Sequence, residues 1–175
     1  EKYQNDFIPY TFQVPIAVAI AKVTADFHLV DIVLLDEPEF RPHEITEKFW
    51  RGWEKYRRPT LVSFNGRAFD IPYIRDRLAY YRMPGDLERN HFDVLHFSRR
   101  AWRGRFPDCR LTTLERNLLG VERAGDVPSS LVPEFYETYM RTGNAGPLIP
   151  IVEHNRMDLV TLANLFARLH EEWSF

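Results

Sequence analysis

Two short segments, far apart in the chain, each end in a carboxylate. The first is LVSFNGRAFD, in which an apolar run breaks at Asn-Gly and Asp70 follows. The second is EHNRMD, where His154 and Asp158 lie one helical turn apart and so share a face. Carboxylate oxygens suit hard divalent cations, and a histidine of unperturbed pKa can take a proton from metal-bound water near neutral pH. These residue types and spacings predict metal-assisted phosphodiester hydrolysis, with Asp70, His154 and Asp158 as catalytic candidates.

Each candidate also has an ordinary structural interpretation. Asp70 suits a helix N-cap, and a lone histidine such as His154 is commonly structural. Asn65 either shapes the turn or touches substrate, and Arg67 in the same turn is a candidate for contact with the nucleic-acid backbone. Asp93 is predicted to cap the helix that follows it, with His91 packed beside it.

The elements that must hold these residues can be read from periodicity. Residues 16–23 and 29–35 predict a β-hairpin, and Thr60 to Phe64 predicts a buried strand. Helices are predicted over 43–58, 72–82, 94–102, 111–119 (opened by Thr112 or Thr113 and closed by Gly120), 133–141 and from about 147 or 150 to 173. Strands first, then strand–helix alternation, then helices, indicate an α/β fold with a mixed sheet.

Composition sets the broad class. The chain has 175 residues, a hydrophobic share of 45% and a net charge of -2, which fit one soluble domain over residues 1–175. Its one cysteine, Cys109, excludes an internal disulfide framework and a Cys-based zinc site. The apolar run from 14 to 23 is too short to span a bilayer, so we expect no membrane association and a cytoplasmic location.

A second set of candidates is a cluster of arginines near the middle of the chain. Arginine forks match phosphates and aromatic faces stack on bases, so the cluster predicts nucleic-acid contact, chiefly through Arg99, Arg100 and Arg103. The alternative is a solvated helix end whose cations favour the helix dipole. The cluster also contains Arg105 and Arg110 and is interleaved with Trp102 and Phe106.

The segments FNGRAFDIP (64–72), HFDVL (91–95) and HNRMD (154–158) resemble motifs of the DEDD superfamily of 3′–5′ exonucleases. The likeness runs from about residue 16 to 169 and is strongest to branches related to B-family DNA polymerase proofreading domains and to YprB-like domains. It implies a ribonuclease H-like mixed sheet flanked by helices. It also implies two Mg²⁺ or Mn²⁺ ions held in part by Asp70 and Asp158, His154 orienting the water, and the 3′ end of single-stranded DNA as substrate.

The chain departs from that family at its first motif, an Asp-x-Glu on the central strand, which is not found here. We expect that strand to lie upstream of residue 1, with Glu1 as a possible last remnant, or to be lost in a degenerate relative. Asp36, Glu37 and Glu39 are interpreted as loop acids rather than a substitute. The spacing of His154 and Asp158 is that of the family's tyrosine-type branch, with a histidine in the tyrosine position.

Three functions follow from this resemblance and its gap. The first is a metal-dependent 3′–5′ exonuclease acting on DNA by a two-metal mechanism. The second is a catalytically impaired relative that binds nucleic acid. The third is an RNA-directed or structure-specific nuclease on the same fold, since no residue identifies a reader of the sugar 2′-OH.

Overall fold

The computed structural model of the protein describes residues 15–85, 87 and 90–173. The interpretation of Glu1 as a motif remnant lies outside these residues. Strands and helices alternate through the first half of the chain, and helices follow, as the sequence predicts. The strands are β1 (Ala19–Val23), β2 (Leu29–Leu34), β3 (Leu61–Ser63) and β4 (His91–Asp93). The α-helices are α1 (Pro42–Lys55), α2 (Asp70–Tyr80), α3 (Val94–Trp102), α4 (Leu111–Leu114), α5 (Val132–Thr142) and α6 (Ile149–Trp173).

The predicted hairpin is confirmed. β1 and β2 pair antiparallel, with Ala19 opposite Leu34 and Lys22 opposite Asp31. The connection is tight because the Thr24 amide donates to the His28 carbonyl at 2.9 Å. The turn places Phe27 in the left-handed region at φ 65°.

The other two strands pair in parallel, with Leu61 opposite His91 and Ser63 opposite Asp93. The antiparallel and parallel pairs together give the mixed character that the sequence predicts. Within the described residues, however, the pairs are separate two-stranded sheets with no hydrogen bonds joining β1 or β2 to β3 or β4. No described strand carries an Asp-x-Glu sequence.

Helix boundaries follow local signals with two differences. Asp93 caps α3 as predicted, since its carboxylate accepts from the Leu95 amide at 3.1 Å. The segment 111–119 begins after Arg110 rather than at a threonine cap, and its second half, Glu115–Leu119, is a π-helix that ends at left-handed Gly120. Glu115, the first residue of the π-helix, is buried.

The core has two parts. The first lies around α1, whose apolar residues Ile45, Phe49, Trp50 and Trp53 are buried. The second packs α3 and α4 against the long helix α6 through Val94, Trp102, Leu114, Leu165 and neighbours. Helix α6 also runs past the hairpin strands. It therefore connects the two halves of the fold and can carry side chains to the ends of β3 and β4.

The acids after β2 are loop residues, as predicted. Asp36 is buried and accepts from the Arg41 guanidinium at 2.8 Å and from Lys48 Nζ at 2.6 Å. Both of its oxygens are engaged by these cations, so it holds the loop to α1. Among the described residues, no helix is both long and apolar enough to cross a bilayer.

Candidate active site

The turn after β3 presents Asp70, and Asp93 holds that turn in place. Asp93 is buried at the end of β4, and its carboxylate accepts from the amides of Asn65 at 2.8 Å and Arg67 at 2.9 Å. Asn65 adopts the left-handed region at φ 63°, which asparagine tolerates better than most residues. The backbone of Asn65 therefore serves the turn, and the exposed Arg67 side chain lies beside it.

Gly66 is required by the crowding of the same turn. A Cβ at this position would lie 2.0 Å from Ser63 Oγ and 3.1 Å from a carboxylate oxygen of Asp70. Ser63 Oγ accepts from the Gly66 amide and lies 2.8 Å from His91 Nε2. Burial lowers the pKa of His91, so its neutral ring is favoured. His91 thus supports the turn from behind, in agreement with its predicted packing role.

Asp70 is the first residue of α2 and does not cap it, because the N-cap is Phe69 and no described side chain bonds the helix end. Its residue surface is open to solvent, yet burial by surrounding protein raises the pKa of its carboxyl. A backbone hydrogen bond lowers the pKa of Asp70, but the charges of Asp93 and Asp158 raise it. Asp70 and Asp158 therefore sense each other electrostatically, across the gap between α2 and α6.

His154 and Asp158 lie on one face of α6, with Nε2 and Oδ2 3.4 Å apart. The other ring nitrogen, Nδ1, lies 2.6 Å from Asp126 Oδ1. The bond to Asp158 and the bond to Asp126 raise the pKa of His154 to about 9, against the opposing effect of burial. With these partners the ring is an imidazolium at neutral pH. The pKa of His154 thus differs from the ordinary value assumed from the sequence, while its role as the residue that orients or deprotonates water stays a prediction.

Arg123 joins the carboxylates into one network. Its Nε donates to Glu115 at 2.7 Å, its Nη1 lies 3.4 Å from Asp126, and its Nη2 lies 2.7 Å from Asp158 Oδ1. Thr161, one turn along α6 from Asp158, donates to the other oxygen of Glu115 at 2.5 Å. Burial disfavours the charged guanidinium, but Asp158 and Glu115 raise the pKa of Arg123. The cation is thus fixed between the π-helix and α6.

Sequence reasoning missed four members of this network: Glu115, Arg123, Asp126 and Thr161. Thr161 offered a signal, because it continues the helical spacing of His154 and Asp158. Asp126 and Arg123 lie in an irregular segment, and their partners on α6 are remote in sequence, so spacing gives no indication of the contacts.

The donor set fits a divalent cation in part. Two carboxylates that repel each other, Asp70 and Asp158, offer hard oxygen ligands and charge that a cation would neutralise. In the described part of the chain, the one group of three ligand-type side chains within reach of a common ion is elsewhere, at the start of α1. A pair of ions about 3.5–4 Å apart needs more carboxylates than these two. Asp70 and Asp158 are therefore too few by themselves for the two-ion site that the sequence predicts.

The arginine cluster lies at the far end of α6. Trp102, expected to stack on bases, is instead fully buried, and its indole donates to Glu172 at 3.0 Å. Glu172 follows Asp158 by enough helix to separate them by about 20 Å at 1.5 Å per residue. Arg99, Arg100 and Arg103 are exposed near that end, so they lie away from the carboxylates.

The comparisons with known proteins agree with this architecture. The curated protein YprB of Bacillus subtilis (strain 168), described as uncharacterized, is 34% identical over 115 residues, which are 65% of this chain and 28% of YprB. The chain thus matches little more than a quarter of that relative's length. A family model described as RNase_H superfamily matches residues 16–170. Because the match spans nearly all of the chain, the chain belongs to the RNase H superfamily.

Proposed function

We propose that this domain is a metal-dependent 3′–5′ exonuclease that hydrolyses phosphodiester bonds of DNA. The observation that carries the proposal is that the pKa of Asp70, at the strand-end turn, is raised by burial and then by the negative charges of Asp93 and of Asp158, which contacts His154 on α6. Asp70 is exposed and the side chain of Asp158 is 36% exposed, so solvent and ions can reach both carboxylates. Repelling carboxylates beside a histidine are the arrangement that a divalent cation and a water nucleophile require.

Each residue has a role in this proposal. Asp70 and Asp158 would hold Mg²⁺ or Mn²⁺, two ions in the complete site, and the ions would supply an activated water and neutralise developing charge. His154 orients that water from its place between Asp158 and Asp126. Arg67 and Asn65 flank the scissile phosphate from the turn that carries Asp70.

The arginine cluster fits a different contact. Arg99 and Arg100 lie in the last turn of α3, which is joined to the end of α6 by the hydrogen bond from Trp102 to Glu172. Since Glu172 lies about 20 Å along α6 from Asp158, Arg99, Arg100 and Arg103 suit the phosphates of a strand that extends away from the reacting end. Their guanidinium groups are exposed, so bidentate phosphate contact needs no rearrangement of the core. A single-stranded 3′ end in the cleft, followed by bound strand, is the corresponding substrate.

The choice of DNA and of a 3′ end is supported by the resemblance of FNGRAFD and HNRMD to proofreading exonuclease motifs. Matched single-stranded DNA and RNA, labelled at either end, test both choices in Mg²⁺ or Mn²⁺, with a chelator as control. We expect stepwise loss of a 3′ label from DNA in any longer polypeptide that supplies further carboxylates. Equal or faster cleavage of RNA, or cleavage restricted to branched substrates, would favour the RNA-directed or structure-specific alternative.

The 175-residue chain by itself is expected to cleave slowly or not at all. Two carboxylates leave a pair of cations short of ligands, and Asp158 already faces the guanidinium of Arg123. Robust metal-dependent degradation of a 3′-labelled strand by this chain alone would contradict the incomplete-site interpretation.

One observation favours a second function, binding of nucleic acid without cleavage. The Arg123 cation already compensates Asp158, which in that case has a structural role. Binding that is insensitive to chelators, with no cleavage in any polypeptide containing the domain, would support this function over the exonuclease.

A further inference from the structure

Arg123 is a buried cation inside a site that is proposed to bind cations. Its side chain is 5% exposed, as is that of Glu115, which it contacts. Asp158, by comparison, is 36% exposed and borders solvent. The guanidinium therefore approaches Asp158 from the protein side and leaves the opposite side of the carboxylate open.

The two ends of the guanidinium are held differently. Nε makes an aligned hydrogen bond to Glu115, whose other oxygen is occupied by Thr161. Nη2 lies 2.7 Å from Asp158 Oδ1, but among the described residues it has no acceptor in hydrogen-bond alignment. The contact with Asp158 is thus mainly electrostatic. Glu115 anchors Arg123, and Asp158 can change partner at smaller cost in directed bonds.

Charges from every neighbouring element bear on this contact. Glu115 comes from the π-helix, Asp126 from the segment before α5, and His154 and Asp158 from α6. Among the described residues, these three carboxylates lie around one guanidinium, that of Arg123, and one imidazole ring, that of His154, so acids outnumber the basic side chains. Asp70 adds a further carboxylate across the gap. The group can therefore accept another cation, and that cation would compete with Arg123 for the carboxylate of Asp158.

We propose that Arg123 is a positioning residue that occupies the cation position beside Asp158 and is displaced from that carboxylate when a divalent cation binds, a role that rests on the proposed metal dependence of the site. Before binding, it holds Asp158 Oδ1 and leaves Oδ2 directed to His154. The positive charge of Arg123 opposes a cation at Asp158, so metal affinity is lower than the carboxylates alone would give. Cation binding and the Arg123–Asp158 contact are in this way mutually exclusive.

The test compares two variants that differ in one charge. Removing Arg123 alone would leave Glu115 buried and unpaired, which costs stability. Glu115→Gln is therefore the background, because a glutamine oxygen can still accept from Thr161. The proteins compared are Glu115→Gln and Glu115→Gln/Arg123→Met, each with Mn²⁺ as the probe, by calorimetry and electron paramagnetic resonance. Thermal melts of both establish that they are folded.

We expect the double variant to bind Mn²⁺ about tenfold more tightly than Glu115→Gln, since a unit charge near Asp158 is removed. A purely structural role for Arg123 predicts the opposite sign. Equal or weaker binding by the double variant would overturn the displacement, even if Mn²⁺ binds. No Mn²⁺ binding in either variant or the wild type would overturn the metal dependence itself, so the two failures are distinct.

A second measurement uses the wild-type chain and does not depend on the variants folding. Mg²⁺ is titrated while the guanidinium resonances of Arg123 are followed by NMR. Displacement from Asp158 predicts faster rotation of the terminal amino groups, while the Nε–H bonded to Glu115 keeps its shift. Saturating Mg²⁺ that leaves the rotation of the terminal amino groups unchanged would refute the proposal.

Discussion

The two carboxylates proposed to bind the cation lie in opposite electrostatic surroundings. Asp158 on α6 contacts Arg123 and His154 and belongs to a network in which each acid has a cationic partner. Asp70 at the start of α2 has no such partner among the described residues: burial and the charges of Asp93 and Asp158 raise its pKa. One half of the site is compensated by the protein, and the other half carries charge that the described protein does not neutralise.

This difference suggests separate roles for the two carboxylates: Asp158 contributes to the stability of the fold, whereas Asp70 is available for a ligand. Compensation by Arg123 fixes α6 to the π-helix, so the network on that side contributes to folding. On the Asp70 side, the turn is fixed by Asp93 and Gly66 and does not need the Asp70 carboxylate at all. A carboxylate that is held in place by its backbone yet unsatisfied in charge is available for a ligand.

The largest expected effect is on cleavage. In the polypeptide that shows activity, Asp158→Asn and Asp70→Asn should each lower the rate roughly a thousandfold or more, since each removes an ionic metal ligand while keeping its shape. Rates are measured on a 3′-labelled strand under single-turnover conditions. Asp108→Asn, an exposed aspartate before α4, is the matched control. Wild-type rates in either site variant would remove that residue from the proposed site.

The ion-pair network around Arg123 is disrupted by replacing Glu115. Glu115→Ala leaves Arg123 buried without its anchor, so the free energy of unfolding should fall by about 3 kcal/mol. Glu115→Gln keeps an acceptor for Thr161 and should lose less. Urea denaturation of the two variants and the wild type measures the difference. Equal stability of the alanine variant and the wild type would show that the network does not hold α6 to the π-helix.

The contrast between the two halves was only partly visible in the sequence. FNGRAFD predicts the strand–turn–helix that carries Asp70, and the one-turn spacing of His154 and Asp158 predicts their shared face, because both are local geometry. The hairpin and the Asp93 cap follow from local signals too. Arg123 and Asp126 could not be predicted, since an irregular segment has no period and its packing depends on tertiary contacts. The pKa of His154 is raised first by Asp158, which the sequence places one turn away, and then by Asp126, which it does not place nearby.

Asp36 is a buried carboxylate outside the candidate site whose charge is balanced by cationic side chains, so its replacement shows how much such balancing stabilises the fold. Arg41 and Lys48 hold the pKa of this buried carboxyl below its usual value, with burial acting in the opposite direction. A depressed pKa means that its stabilisation is present above about pH 4 and is lost as pH falls through the folded pKa. Asp36→Asn should cost about 1–2 kcal/mol at pH 7. The difference from wild type should shrink in acid, as followed by thermal melts between pH 7 and 2; a constant difference would argue against charge as its cause.

The next prediction concerns nucleic-acid binding by the arginine cluster. Replacing Arg99, Arg100 and Arg103 by Ala should weaken single-stranded DNA binding roughly tenfold and flatten the salt dependence by about 0.7 for each phosphate that is no longer neutralised. Fluorescence anisotropy over a salt series gives both quantities.

The control for this prediction removes the same charge elsewhere. Arg51, Arg57 and Arg141 are exposed and belong to other parts of the fold. Their replacement by Ala changes net charge equally and should alter binding less. Indistinguishable triple variants would mean that the cluster is a solvated helix end.

The smallest expected effect decides whether Asp70 is uncompensated. Two influences favour its charge: it lies in the first turn of α2, where the helix dipole stabilises anions, and a backbone hydrogen bond lowers its pKa. Burial and the charges of Asp93 and Asp158 outweigh them. Asp70→Asn should therefore raise the free energy of unfolding at pH 7, by up to about 0.5 kcal/mol because solvent screens the repulsion. Asp158→Asn should lower it, because Arg123 loses a partner. Chemical denaturation with and without Mg²⁺ measures both signs. If Asp70→Asn instead destabilised the chain without Mg²⁺, the stabilisation of its charge by the start of α2 would outweigh the repulsion. Both carboxylates would then stabilise the fold, and the contrast between Asp70 and Asp158 would be wrong.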